Sequence, residues 1–349
     1  MSDNLRVLMA LKNQLPTEKQ PLVDELIAST PDATAPVELV GYTAKAFCKR
    51  KLKQREVLLE SKEAVMMRHP SINEIHAYRG TGKTNVAVHL LNTIANGGDF
   101  FRWSCKTKKK VLYVEGEQPA VDLQETIRDL AEKDSTNFHI MTLEDQTGGK
   151  LPKIVDPVGQ AAYEAYIKEH GIEVVVFDSL STLANVSMNE EDEQLAIGDW
   201  FIRLRTVLKV SVIYLQHDGK GGSQRGHSKH EDWIDLSVQL KWTDETVCGA
   251  LGLDCTFHFD KVRKPIKDGK DFRIMLRDNK WEYSDSTVDE DKRTKCLKYA
   301  IETLLKEPEY KNEQVYRVLR SSGAGMKKMV MKEVVQEARD FLAEKEKAA

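Results

Sequence analysis

Arg79-Gly80-Thr81-Gly82-Lys83-Thr84-Asn85 is the stretch whose residue types and spacing point most directly to chemistry. Two glycines set two apart let the backbone fold back, so that successive N–H groups aim at one centre. The lysine that follows can reach the β- and γ-phosphates of a nucleotide, and the threonine hydroxyl can sit on Mg²⁺. Residues Arg79 to Asn85 are therefore the expected nucleotide-binding set, with ATP and Mg²⁺ as the expected ligands. A chance Gly-X-Gly-Lys-Thr on a surface turn would lack the flanking elements seen here. Ile72–Tyr78 reads as a strand. Val86, Val88, Leu90, Leu91 and Ile94 read as a helix whose positive N-terminus faces the same anion. One position departs from the full motif: Ala77 stands where the first glycine belongs, and alanine tolerates positive φ poorly.

Hydrolysis needs more than a phosphate cradle. It needs a carboxylate for the metal and a group that orients water. Ile172-Glu173-Val174-Val175-Val176-Phe177-Asp178 is a β-branched run, the mark of a strand buried on both faces, with Asp178 at its C-terminal tip. Asp178 is expected to hold Mg²⁺ together with Thr84; a cap for the next segment is the bland alternative. Val111-Leu112-Tyr113-Val114-Glu115-Gly116-Glu117 ends in carboxylates at the same edge. Alternation favours Glu117 as the group that polarises water, with Glu115 its rival; acids at a helix N-terminus would look the same. Ser211–Gln216 is a further buried strand with a polar tip, and Gln216 is expected to contact the γ-phosphate or its water.

These strands set the frame. Strands are predicted at Ile72–Tyr78, Val111–Glu115, Phe138–Thr142, Val174–Phe177, Ser211–Gln216, Leu236–Trp242, Cys255–Lys261 and Phe272–Leu276. Helices are predicted at 85–96, 120–133, 158–170 and 191–208. The alternation predicts an α/β fold with a mostly parallel sheet, to which the strands from 236 onward add antiparallel partners at one edge.

The strand with Gly116-Glu117-Gln118-Pro119, the segment Asp178-Ser179-Leu180-Ser181-Thr182-Leu183 and the Gln216-His217 strand end resemble RecA-fold ATPases. They resemble most the RepA-type hexameric helicases of plasmids and mobile elements, which are related to DnaB replicative helicases. The resemblance covers about residues 36–285. It implies a RecA-like core, places the catalytic glutamate at Glu117, and makes Ala77 less unusual, because a small residue other than glycine is common there. It also implies that the glycine-rich loop from Asp218 to His230 faces a central channel, where Lys220, Arg225 and Lys229 track a phosphate backbone. Composition alone would make that loop an ordinary surface loop. Lys261 and Arg263, two apart on a strand, share a face. By resemblance they enter the neighbouring subunit's ATP site, as charges that stabilise phosphoryl transfer; otherwise they are two charges on a solvent-facing edge.

The resemblance implies an ATP-hydrolysing DNA helicase or translocase. It would act as a hexameric ring on single-stranded DNA in replication of a plasmid, phage or mobile element, with a primase or loader as possible partner. The alternative is a nucleotide-gated DNA-binding or regulatory RecA-like ATPase without processive unwinding.

The chain has 349 residues, 41% hydrophobic and 31% charged, with a formal net charge of −3. That balance gives no global attraction for nucleic acid, so any such contact must be a local patch. Cys48, Cys105, Cys248, Cys255 and Cys296 form no Cys-x-x-Cys pair, which argues against a zinc site or a disulfide framework and fits a reducing cytosol. No apolar run is long enough for a membrane span, so a soluble cytoplasmic protein is expected. Residues 1–35 read as an N-terminal arm with weak helical pattern. Residues 36–285 read as the ATPase domain, and within them the basic run Lys49–Arg55 reads first as a solvated helix face and second as a phosphate contact. Residues 286–293 read as a charged linker. Residues 294–349 read as a small all-α, helix-turn-helix-like domain. In it Lys327 and Lys328 stand where DNA contacts occur, although a protein-docking bundle has the same pattern.

Overall fold

The computed structural model describes residues 20, 39–132, 134–184, 191–218, 232–242, 253–267, 269–285, 288–321 and 325–348. The chain divides into two compact units, Met1–Gln54 and Arg55–Ala349. In the first, helix α1 (Ala44–Cys48) is capped by Thr43, whose hydroxyl accepts a hydrogen bond from the Ala46 amide. None of its residues is buried. The basic run expected as a helix face lies beyond α1 and is not helical. The helical pattern of residues 1–35 falls outside the described residues, Gln20 excepted.

The second unit is an α/β fold. Its strands are β1 (Glu56–Glu60), β2 (Val65–His69), β3 (Ile72–Ala77), β4 (Gly98–Phe100), β5 (Trp103–Cys105), β6 (Val111–Glu115), β7 (Phe138–Met141), β8 (Val174–Asp178), β9 (Ser211–His217), β10 (Leu236–Trp242), β11 (Leu253–Val262), β12 (Phe272–Arg277) and β13 (Lys280–Ser284). Its helices are α2 (Lys83–Asn96), α3 (Ala120–Leu130), α4 (Pro157–His170), α5 (Leu180–Ala184), α6 (Glu191–Arg203), α7 (Val288–Lys306), α8 (Asn312–Ser321) and α9 (Lys328–Ala348). The main sheet runs β13-β12-β11-β10-β3-β9-β8-β6-β7. From β10 to β7 every pairing is parallel; β11, β12 and β13 continue antiparallel.

Every residue of β3, β6 and β8 is buried. Parallel strands covered on both faces have no solvent side, which is why these segments read as unbroken apolar runs. Alternate residues serve two cores. Ile75, Tyr113, Val176 and Ile213 pack beneath α2. Ile72, Val114, Phe177 and Tyr214 face the other way, among residues that include Tyr163 of α4 and Trp200 of α6.

Three differences from expectation have physical reasons. Leu236–Trp242 pairs in parallel with β3, so the antiparallel edge begins one strand later. The strands β1, β2, β4 and β5 make a separate sheet in the order β2-β1-β5-β4. They are short and flanked by charge, and so give little period-two signal. Strand β13 is half exposed. Its hairpin with β12 turns on Asp278 (φ 49°) and Asn279 (φ 60°), the left-handed pair that a two-residue turn favours.

Helices α7, α8 and α9 enclose a core of their own around Cys296, Leu304, Val315, Leu319, Met331 and Val334. The stretch expected as a linker is helical from Val288. No described helix is long and apolar enough to cross a membrane.

Candidate active site

Parallel strands bring their C-terminal ends to one edge, and parity decides which side chains meet there. Register places Glu115 beside Asp178 and Ala77 beside His217. All four share the α2 face. Glu115, Asp178 and His217 line, with Gly80 and Gly82 of the loop, a cleft of about 260 Å³ walled by Lys83, Thr84, Glu117 and Gln118.

The loop turns on Gly80 (φ 76°) and Gly82 (φ 91°). A side chain at Gly82 would also meet Leu253 Cδ1 at 1.9 Å, so only glycine fits there. Ala77 is not among the positive-φ residues; it ends β3 in extended backbone, so its missing glycine costs no strain.

Asp178 is buried at the floor of the cleft. Its Oδ2 accepts from Thr84 Oγ1 at 2.8 Å and from the Tyr113 hydroxyl at 2.5 Å. Burial raises the Asp178 carboxyl, against the pull of those two donors. Burial, with Asp178 and Glu115 nearby, also holds Tyr113 protonated as a donor. Thr84 and Asp178 are hard oxygen ligands of the kind Mg²⁺ takes, and they already touch. Among the described residues no group of three or more His, Cys, Asp or Glu side chains is placed to hold a metal alone. Such an ion would complete its shell with phosphate and water oxygens.

Lys83 is buried, and its ammonium is 2.9 Å from His217 Nδ1 and 3.5 Å from the Ala77 carbonyl. Burial lowers its pKa, while Asp178, Glu117 and Asp218 oppose that shift. An ammonium only donates, so Nδ1 accepts and Nε2 carries the proton. That Nε2–H lies 3.1 Å from the Glu117 carboxylate. Lysine, histidine and glutamate thus form one hydrogen-bonded chain across the cleft. The bond from His217 holds Glu117 down at about 2, against partial burial.

Glu115 has a different task from Glu117. Its Oε1 accepts the Glu117 and Gln118 amides at 2.7 and 2.9 Å, and its Oε2 accepts Gln118 Nε2 at 2.8 Å. It shapes the loop that presents Glu117. Burial and the neighbouring Asp178 push it up to about 7, against those three donors. The folded chain therefore binds this proton more tightly than the unfolded chain, and stability falls as pH rises between the unfolded value near 4.5 and 7. In metal- and nucleotide-free protein we expect Glu115→Gln to flatten that fall by about 2–3 kcal/mol, read from urea midpoints at pH 5 and pH 7.5.

Gln216 is not brought into the cleft. It sits on the opposite face of β9, level with His76. His217, one residue on, holds the position facing the cleft. The Asp218 carboxylate, on the Gln216 side, accepts from His76 Nδ1 at 2.6 Å and Gln239 Nε2 at 2.9 Å. Exchanging His217 for alanine is expected to lower ATP turnover at least about tenfold, whereas Gln216→Ala stays within about threefold. Steady-state kinetics on the two variants checks this.

Lys261 and Arg263 lie elsewhere. Register sets Val262 beside Leu236, and Leu236 beside Asn73, at the N-terminal end of β3. Arg263 is thus about five residues, roughly 17 Å, along the strand direction from Ala77. Its guanidinium donates to the carbonyls of Asp232 (2.5 Å) and Ile234 (3.3 Å). Lys261 makes no ion pair among the described residues. Lys220, Arg225 and Lys229 fall outside the described residues. Lys327 and Lys328 are exposed at the start of α9, and Lys328 pairs with Glu313 at 2.9 Å.

Tyr113 and His217 were the residues that motif reading underused. Counting parity from Tyr113 to Glu115 would have placed the tyrosine on the cleft face.

Fold and cleft together have the arrangement of a P-loop nucleotide-binding site in an α/β protein with a mostly parallel central sheet. Residues 55–223 match the family model of an AAA domain. Among solved structures, a KaiC-like protein from the hyperthermophilic archaeon Pyrococcus horikoshii OT3 is similar at 16% identity and a TM-score of 0.43, over 62% of this chain and 91% of that chain. No curated protein matches the sequence.

Proposed function

We propose that the protein is an ATP-driven translocase that assembles as a ring on single-stranded DNA and unwinds duplex DNA, as its resemblance to RepA-type helicases implies. In this reading the amides of residues 80–84 and Lys83 hold the phosphates, and Thr84 with Asp178 holds Mg²⁺. Bound Mg²⁺ neutralises charge on the phosphate oxygens. Glu117 orients the attacking water. While His217 donates to it, Glu117 is a weak base. A γ-phosphate competing for Lys83 and His217 frees the carboxylate, whose pKa then rises toward the range useful for proton transfer. The freed histidine becomes the phosphate sensor, and the strand end it occupies leads directly into the basic loop.

The multi-subunit part rests on the resemblance, and it is supported by the placement of Arg263 at the far end of the sheet from its own phosphate loop, with Lys261 level with Glu74, three residues short of Ala77. In this reading a neighbouring subunit's phosphates are the target of these charges. ATP turnover measured with and without single-stranded DNA, alongside displacement of a forked duplex, tests the reading. Stimulated turnover with displacement is expected. Stimulation without displacement would replace it with a nucleotide-gated DNA-binding protein.

A further inference from the structure

Strand β11 carries an inserted residue. Opposite β10, Phe259 pairs with Val238 and Lys261 with Ser237, so Asp260 between them is a β-bulge. The insertion decides where the lysine goes. Phe257 and Phe259 lie with the core beneath α2, and strict alternation would send Lys261 to that side as well. Instead Lys261 stands opposite Ser237. Leu236 and Val238, on either side of Ser237, belong to the core beneath α2. Ser237 faces the other way, where its hydroxyl donates to the buried Glu74 at 2.7 Å, and the bulge brings Lys261 to that same face.

The bulged residue is held by a histidine that the chemistry of the cleft does not use. His76 Nε2 is 3.6 Å from Asp260 Oδ2. The ring is fixed through its other nitrogen: Nδ1 donates to Asp218 Oδ1 at 2.6 Å, and Gln239 Nε2 donates to Asp218 Oδ2 at 2.9 Å. Burial would raise the Asp218 carboxyl, yet His76 and Gln239 hold it below its usual value. His76 and Asp218 are both buried, whereas Asp260 is 31% exposed. On the far side of Asp260, His258 Nε2 lies 3.9 Å from Oδ1, and Asp271 holds that second ring at 2.7 Å. The bulge carboxylate thus sits between two anchored histidines.

Resting on the reading that Lys261 acts at a neighbouring subunit's phosphates, we propose that His76 is a positioning residue. With Asp218 behind it and Asp260 before it, the ring clamps the bulge and so fixes the face and aim of Lys261. A charge that must meet a phosphoryl group to within about an ångström loses most of its effect when the strand beneath it can shift.

Mixed assemblies separate the two chains of a junction. Lys261→Ala chains supply a working cleft, and Glu117→Gln chains supply a working lysine. Asp260→Ala keeps the inserted residue and removes the clamped carboxylate at a partly exposed position. In the Glu117→Gln chains it is expected to lower the turnover of the mixture at least about fivefold. In the Lys261→Ala chains it is expected to leave turnover within about twofold, because those chains offer no lysine. His76→Asn in the lysine-supplying chains should act as Asp260→Ala does, and the two together should cost no more than either alone. Co-purification of differently tagged chains verifies mixing in each case. Equal losses from either chain would mark a general structural effect and overturn the role of His76. No loss from Asp260→Ala in the lysine-supplying chains, or losses that multiply in the double variant, would overturn it too. A verified parent mixture that recovers no turnover would instead remove the reading of Lys261, and the role of His76 with it.

Discussion

Glu117→Gln is expected to leave ATP bound and to lower its turnover by about 10²- to 10⁴-fold. Glutamine keeps the shape of the side chain, and its carbonyl oxygen can still accept from His217 Nε2, so the loop stays where Glu115 holds it. What disappears is the negative charge that orients and deprotonates water. ATP affinity, followed with a fluorescent analogue, should be unchanged or tighter, because a carboxylate near the γ-phosphate repels it. Single-turnover kinetics separates the lost chemistry from product release. Turnover within threefold of wild type would remove Glu117 from the chemistry. Glu115 could not simply take its place, since both its oxygens are occupied by the loop's own donors. Glu115→Gln gives the matched control: it should lower turnover less, and mainly through misplacement of Glu117.

How far the cleft could be read in advance follows from the strands. The phosphate loop and Asp178 were legible because each depends on local pattern: glycines at fixed spacing, and a β-branched run that stops at an acid. The choice between Gln216 and His217 was not. Val212 to Leu215 is apolar throughout because β9 is covered on both faces, and such a run carries no alternation to reveal parity. Only the long-range pairing of Ala77 with His217 settles it. Glu115 and Glu117 posed a related problem. Both stand at a strand end, and their roles separate only when Gly116 turns the chain, so that one carboxylate folds back on the loop and the other projects. The parallel pairing of β10 with β3 was hidden for a third reason. Its partner lies some 160 residues earlier in the chain, and short turns downstream suggested hairpins instead. Ala77 shows the converse. A motif departure that looked costly adds no backbone strain, because that position is extended backbone rather than left-handed turn.

The second large effect concerns the residues proposed to act at a neighbour's cleft. Lys261→Ala and Arg263→Ala should each retain ATP binding and lose turnover by about 10²-fold or more, since neither lines its own cleft and both are proposed to complete a neighbour's. Lys261 is the sharper probe. Its ammonium has no ion pair among the described residues, whereas Arg263 also ties down the Asp232 and Ile234 carbonyls, so its loss could act through local structure. Mixing resolves the two. Lys261→Ala chains keep Glu117, and Glu117→Gln chains keep Lys261. Each preparation alone is inactive. In a randomly mixed assembly at equal amounts, a junction works when the first kind supplies the cleft and the second supplies the lysine, which is about one junction in four. Turnover near a quarter of wild type is therefore expected if junctions act independently, and less if they must fire in sequence. Mixed assembly is verified first by co-purification of differently tagged chains. Verified mixing with no recovered turnover would mean that Lys261 does not reach a neighbour's phosphates, and the ATP site would then be completed within one chain.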